Sequence, residues 1–325
     1  MRRFVALAIS AVHLTAFDLV RFACICAMLA LPLQLRAQQA AQAPPFEQLY
    51  RMPVVYSVPG MDKIEVRRDI VYKSADVRDA KTALKLDVYL PTSSPKAPAI
   101  VLISGGGAEG APRDFRDAGV YQSYGRLLAA SGFVVISYSK RYARGPAGTN
   151  NGAEDTRDLI AYLREHAAEL HMDKERIALW AFSAGGLMLA PFLHEPPPYV
   201  RALACFYCVS DVTQDSWAGV PGITPEQVER AAAMFSTANQ IHGADRILIP
   251  LFVGRAGLDS PGLNRTIDRL VQEALSKNMS IEVWNHPAGR HGFDILDDNA
   301  RSREIIARAI AFLRHNLLAS LNETH

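Results

Sequence analysis

Cysteine is scarce in this chain. There are four in 325 residues, and two of them, Cys24 and Cys26, fall in an apolar stretch near the N-terminus. Only Cys205 and Cys208 remain, too few for a disulfide framework. Their C-x-x-C spacing suggests redox chemistry, but the segment 203–209 has the composition of a buried strand. Residues three apart on a strand face opposite ways, about 10 Å apart and beyond disulfide reach, so two buried free thiols are expected. Two cysteines alone cannot complete a four-ligand zinc site. Net charge is also small, at +2, which gives no concentrated basic face for nucleic acid. No run beyond the N-terminus is apolar enough, for long enough, to span a bilayer. No internal repeat is visible. A hydrophobic fraction of 49% and a charged fraction of 21% describe an ordinary soluble globular chain, long enough for one large α/β domain or two small ones.

The N-terminus differs from the rest. Arg2 and Arg3 open it, an apolar core runs over 22–35, Ala37 is a small residue, and an Ala/Gln/Pro-rich stretch follows to residue 48. Basic flank, short apolar core, small residue and polar linker form the layout of an export signal. Cleavage near Ala37 is expected, with 1–37 as signal peptide and 38–62 as linker and N-terminal extension; an uncleaved anchor is the alternative. Losing residues 1–37 removes four arginines and one aspartate, so the mature chain carries a net charge of −1. The expected location is periplasmic or secreted, with no membrane partner after cleavage.

From residue 63 to 325 the chain alternates strand and helix signals. Strands are expected over 64–72, 84–90, 99–104, 133–138, 176–182, 200–209, 247–253 and 281–284. Helices are expected over 121–130, 154–170, 184–193, 261–277 and 298–318. Such alternation predicts a mostly parallel central sheet with helices on both faces. The first two strands lack an intervening helix and should form an antiparallel edge. Residues 211–245 break the rhythm with Trp217, Pro221 and Pro225 before an Ala-rich helix over 225–238. This segment is expected to be a small cap insertion, with Trp217 and Phe235 as candidate pocket-lining residues.

Four features fit nucleophilic acyl transfer, which needs a hydroxyl, a base, an acid to orient that base, and donors for the oxyanion. Ser183 sits in Ala181-Phe182-Ser183-Ala184-Gly185, between an apolar strand and a run of small residues. A sharp strand–turn–helix elbow strains its serine and needs small neighbours two positions away. Gly185 is one; Ala181 stands where glycine is usual. The simpler role for Ser183 is a helix N-cap. The turn Ser104-Gly105-Gly106-Gly107 follows a buried strand and offers unobstructed backbone amides, joined by that of Ala184. The stretch 105–110 also fits the G-x-G-x-x-G dinucleotide fingerprint. However, no acidic residue ends the next strand at Tyr138, and the strand comes third in order, so no cofactor is expected. Asp259 follows a strand in a loop, where the simpler role is to cap the helix from Pro261; Asp211 is the alternative acid. His291 lies between the last strand and last helix, followed by Gly292, with His286 as its competitor. A His286/His291 metal pair lacks further ligands. The order Ser183, Asp259, His291, each after a strand, is more specific than any one of them.

The stretches 103–107 (Ile-Ser-Gly-Gly-Gly), 181–186 (Ala-Phe-Ser-Ala-Gly-Gly), 255–259 (Arg-Ala-Gly-Leu-Asp) and 291–294 (His-Gly-Phe-Asp) resemble the α/β-hydrolase superfamily, in its dienelactone-hydrolase-like and carboxylesterase branch, over about residues 64–318. The resemblance implies the α/β-hydrolase fold, a triad of Ser183, Asp259 and His291, and oxyanion amides from Gly106, Gly107 and Ala184. Two departures stand out. Dienelactone hydrolases proper use cysteine as nucleophile, which turns the expectation from lactones to ordinary esters. Related lipases often carry histidine where Ser104 stands.

The expected function is therefore an exported serine hydrolase acting on small-molecule carboxylic esters through an acyl-enzyme, without metal or cofactor. One alternative is a serine peptidase of the prolyl-oligopeptidase type, which usually carries a large N-terminal propeller, whereas residues 38–62 number only 25. The other is a non-catalytic ligand-binding homologue. Acyl and alcohol specificity and oligomeric state are not legible. N-terminal sequencing of the protein recovered from the exported fraction should read from Gln38 or within a few residues of it; an N-terminus at Met1 in that fraction would rule out the cleavable signal.

Overall fold

The structure, a computed structural model, describes residues 45–77, 80–92, 96–106, 114–141, 144–213, 222–244 and 249–318. The expected signal peptide over 1–37, Gly107, Trp217 and Pro221 lie outside the described residues. The compact body spans Glu47–His325. Its eight strands are β1 (Glu65–Val77), β2 (Ala80–Leu90), β3 (Ala97–Ile103), β4 (Val134–Tyr138), β5 (Met172–Phe182), β6 (Val200–Phe206), β7 (Leu251–Ala256) and β8 (Ile281–His286). They form one sheet in the order β1-β2-β4-β3-β5-β6-β7-β8. β1 pairs antiparallel with β2, and β2 antiparallel with β4; every later pairing is parallel. The expected antiparallel edge is present.

The helices are α1 (Gly119–Ala130), α2 (Pro146–Glu165), α3 (Ala190–His194), α4 (Pro225–Phe235), α5 (Thr237–Gly243), α6 (Pro261–Ser276), α7 (Phe293–Leu296) and α8 (Ala300–Leu318). They divide between the two faces because the central strands are apolar on both sides. On β3, Ala99, Val101 and Ile103 face a core closed by Leu159 and Leu163 of α2, Val228 of α4, Ile241 of α5 and Ile267 of α6. Ile100 and Leu102 face the opposite core with Leu127 and Leu128 of α1 and Ile305, Ala309 and Leu313 of α8. Trp180, Phe182 and Phe206 pack there beneath the C-terminal strand ends, Trp180 stacking on Phe182 at 5.7 Å between ring centroids.

Several boundaries differ from the sequence expectation, each for a local reason. α2 begins at Pro146, eight residues before Glu154, because Pro146 occupies the first turn after Gly145; its Gly-Thr-Asn-Asn-Gly start resembles a loop in composition alone. The helix expected over 184–193 is instead a 3₁₀ winding, Ser183–Leu189, before the short α3. β6 stops at Phe206, and Tyr207 takes a left-handed backbone with φ of 39°. That turn overturns the expectation that Cys205 and Cys208 face opposite ways. Both are buried in the same core as free thiols, and burial, reinforced by the neighbouring Cys205, pushes the Cys208 thiol up. In the inserted segment, α4 and α5 carry the chain from β6 to β7 on the α2/α6 face. Phe235 is buried there with Val228 and Ala231, a packing role.

The antiparallel edge is tied to this body by Asp155 of α2. Its fully buried carboxylate accepts hydrogen bonds from Lys73 Nζ of β1 at 2.9 Å and from the Arg141 backbone amide and Nη2 at 2.7 and 2.8 Å. Burial opposes the charged form, but the bonds from Arg141 and Lys73 prevail and hold the carboxyl below its ordinary value. A lowered folded-state value contributes stability above the ordinary pKa, and that contribution is lost as pH falls through the folded value. Asp155→Ala, which leaves two cations without their buried partner, should cost about 3 kcal/mol in urea denaturation at pH 7. The difference from wild type should shrink as pH falls toward 3.

Candidate active site

The strand ends of β3, β5, β6, β7 and β8 share one edge of the sheet, and the predicted residues lie in the loops that leave it. Ser183 follows β5 directly and has a φ of 52°, a left-handed conformation that a serine adopts only when its surroundings compel it. Close contact supplies that compulsion. A Cβ on Gly185 would lie 2.5 Å from the Ile103 carbonyl oxygen and 2.8 Å from that of Ser104; one on Gly186 would lie 2.6 Å from the Val209 carbonyl oxygen. The turn after β5 is thus wedged between the ends of β3 and β6, and the Val209 amide donates to the Ser183 carbonyl at 2.9 Å. Ala181 pairs within the sheet with Ile103 and Cys205, where its methyl joins the core, so this position tolerates more than glycine.

Asp259 and His291 occupy two laced loops. Gly257 donates to the His286 carbonyl at 2.9 Å, and Leu258 donates to the Gly289 carbonyl at 2.8 Å. A Cβ on Gly257 would lie 2.4 Å from the Pro287 carbonyl oxygen, so only glycine permits this approach. Asp259 then directs Oδ2 to His291 Nδ1 at 2.6 Å, while its Oδ1 accepts from the Ser260 amide at 2.7 Å. The α6 cap is Ser260, whose hydroxyl accepts from the Leu263 amide, so the capping role open to Asp259 belongs to its neighbour. His291 Nε2 lies 2.9 Å from Ser183 Oγ. The three side chains therefore form one hydrogen-bonded chain. The Asp259 carboxylate is only 7% exposed and the imidazole 42%, so the chain opens to solvent at its serine end.

The two competitors lie elsewhere. Asp211 is paired with Arg269 of α6. His286 is buried, its Nε2 beside Asn299 Oδ1 at 3.3 Å and Ser302 Oγ at 3.2 Å.

Of the expected oxyanion amides, Ala184 begins the 3₁₀ winding next to Ser183, Gly106 is half-buried in the turn after β3, and Gly107 lies outside the described residues. The turn carries supports not foreseen in the sequence. Gly105 donates its amide to the Tyr121 hydroxyl at 3.2 Å. Lys140 Nζ donates to the Ser104 carbonyl at 2.8 Å and hydroxyl at 2.6 Å. Burial lowers the Lys140 ammonium to about 7. A Cβ on Gly105 would meet Ser183 Cβ at 2.9 Å. Ser104, in place of the usual histidine, is the only visible sign of this bracing in the sequence.

Comparisons place the chain among known proteins. The sequence model of the BD-FAE family matches residues 86–192. A secreted lipase from Arthroderma benhamiae is 28% identical over 136 residues, 36% of this chain and 27% of the lipase; the match thus spans about a quarter of that relative's length. A thermophilic esterase from the Planctomycetes species Thermogutta terrifontis, in its native form, superposes with a TM-score of 0.62 at 21% identity, covering 85% of this chain and 100% of the esterase. The same esterase with butyrate bound gives a TM-score of 0.60 at 23% identity, covering 81% and 98%. Phosphoramylated by tabun it gives 0.60 at 22%, with the same coverage.

The wedge at Gly185 generates a prediction. Gly185→Ala forces the elbow away from β3 and moves Ser183 relative to His291. A displacement on the order of 1 Å should lower the rate of p-nitrophenyl acetate hydrolysis about 100-fold. Hydrolysis at the wild-type rate would show that the close contact does not position the serine.

Proposed function

We propose that this chain, whose fold is that of the α/β-hydrolases, is an exported serine hydrolase that cleaves carboxylic esters of small molecules. The observation that carries this reading is the continuous hydrogen-bonded chain from Asp259 through His291 to a serine held at positive φ. His291 Nε2 takes the proton as Ser183 Oγ attacks the ester carbonyl. Asp259, fixed on Nδ1, keeps the ring in the right tautomer and stabilises its positive charge. The oxyanion forms against the amides of Ala184, Gly106 and Gly107, in the first stretch after β3 and β5. The alcohol leaves with the proton from His291. Water, activated by the same imidazole, then releases the acid from Ser183.

The neighbours lend support. The Thermogutta esterase binds butyrate and is phosphoramylated by tabun, chemistry that fits a short acyl group and an activated hydroxyl. The export signal and the likeness to a secreted lipase favour action outside the cytoplasm. The residues of 211–245 lie between β6 and β7, where they could bound the acyl pocket.

The test is labelling with a fluorophosphonate together with hydrolysis of p-nitrophenyl esters of graded chain length. The wild-type protein should be labelled at a single site and should hydrolyse short esters. Ser183→Ala should abolish labelling and lower hydrolysis by about 10⁴-fold or more. Full hydrolysis by that variant would sink the reading. Labelling without hydrolysis of any ester, alongside cleavage of peptides, would favour the peptidase alternative.

A further inference from the structure

Asp294 lies three residues beyond His291, fully buried, and the proposed mechanism does not use it. Its carboxylate accepts hydrogen bonds from two tyrosines brought by separate elements. Tyr124 of α1 donates to Oδ2 at 2.9 Å, and Tyr207, just after β6, donates to Oδ1 at 2.8 Å. Tyr207 holds the left-handed backbone noted above, its amide donates to the Gly254 carbonyl of β7 at 2.8 Å, and its ring lies 4.7 Å from the His291 imidazole. The Asp294 carbonyl accepts from the Val55 amide at 2.8 Å. Gly292, with φ of 80°, reverses the chain so that His291 points outward and Phe293 and Asp294 inward. The histidine loop is therefore pinned from below by a carboxylate whose partners come from α1 and from the turn after β6.

We propose that Asp294 is a positioning residue for His291: held by Tyr124 and Tyr207, it anchors the histidine loop and stabilises the positive charge that the imidazole acquires during turnover. This inference rests on the ester-hydrolase reading above.

Stability does not account for a carboxylate at this position. Burial pushes the Asp294 carboxyl from an ordinary 3.8 up to about 6, and the bonds from Tyr207 and Tyr124 and the charge of His291 pull it back only in part. A raised folded-state value contributes stability that is fully present below 3.8 and is lost as pH rises through about 6. At neutral pH the ionised group therefore costs stability that a neutral isostere would not. The same burial also pushes the neighbouring tyrosine hydroxyls, Tyr121 and Tyr124 of α1 and Tyr207, well up, so they stay neutral donors. Along the loop, Arg290 is paired with Asp297. Among the charged groups near Asp294, His291 is the cation that turnover would create, and its charge favours the ionised carboxylate.

The experiment is the pH dependence of fluorophosphonate labelling from pH 5 to 9 for wild type, Asp294→Asn and Tyr124→Phe, with thermal melting at pH 8 to verify folding. Asp294→Asn keeps the shape and removes the charge. Its plateau rate should fall about threefold to tenfold, and its acidic limb should move to lower pH by roughly half a unit to one unit, because an imidazole without the nearby carboxylate takes up a proton less readily. Its melting temperature at pH 8 should be no lower than wild type. Tyr124→Phe, which touches Asp294 but not His291, weakens the ionised carboxylate and should move the limb the same way by less. If Asp294→Asn does not fold, the Tyr124→Phe limb decides. An acidic limb at the wild-type position overturns the proposal even if the rate falls, since a purely structural anchor would slow the reaction without moving it. Failure of the wild-type protein to label removes the ester-hydrolase reading itself, and this inference with it.

Discussion

The close approach of the turn after β5 to the end of β3 governs the geometry of the site. At Gly185 the gap to the Ile103 and Ser104 carbonyls is too small for a single methyl, and at Gly105 the gap to Ser183 is similarly tight. Two parallel strand ends can converge this closely only where side chains are absent. The convergence forces Ser183 into a left-handed conformation, which lifts its hydroxyl clear of the sheet toward His291.

The rest of the sheet holds the partners to this point. Asp259 and His291 arrive from different crossovers, yet backbone hydrogen bonds between the loops after β7 and β8 make them a single unit. Beneath them lies an aromatic layer in which Phe182, Phe206, Tyr207 and Phe293 touch edge to face or tilted. Such rings are rigid and large, so they fix the height of the loops with few residues.

The departures from the usual motif find physical explanations in the same geometry. Ala181 replaces glycine at a sheet-paired position whose side chain points into the core and away from the wedge. Ser104 stands before the glycine turn, and the turn is braced by Tyr121 and Lys140, which lie 16 and 36 residues along the chain from the groups they hold. With Ala181 and Ser104 in place, His291 lies 2.9 Å from Ser183 and 2.6 Å from Asp259.

Much of this was legible in the chain itself. Continuous apolar runs marked the buried strands, and their alternation with helical segments required a parallel sheet. The order of Ser183, Asp259 and His291 after three of those strands pointed to one edge, because strand ends of a parallel sheet share it. Local composition was a poorer guide where tertiary contact overrides propensity, as in the 3₁₀ winding after Ser183 and the early start of α2. The sequence favoured Asp259 over Asp211 and His291 over His286 by their places after the strands, and folding shows where the competitors go. Only packing pairs one with Arg269 and buries the other against α8. The tyrosine grip on Asp294 and the turn that sets Cys205 and Cys208 on one face also depend on residues brought together from distant segments, and a contact of that kind leaves no periodic trace along the chain. The sequence determined what chemistry was available and at which edge; the tertiary structure decided which groups touch, because hydrogen bonds and steric gaps act over a few ångströms of space and not along the chain.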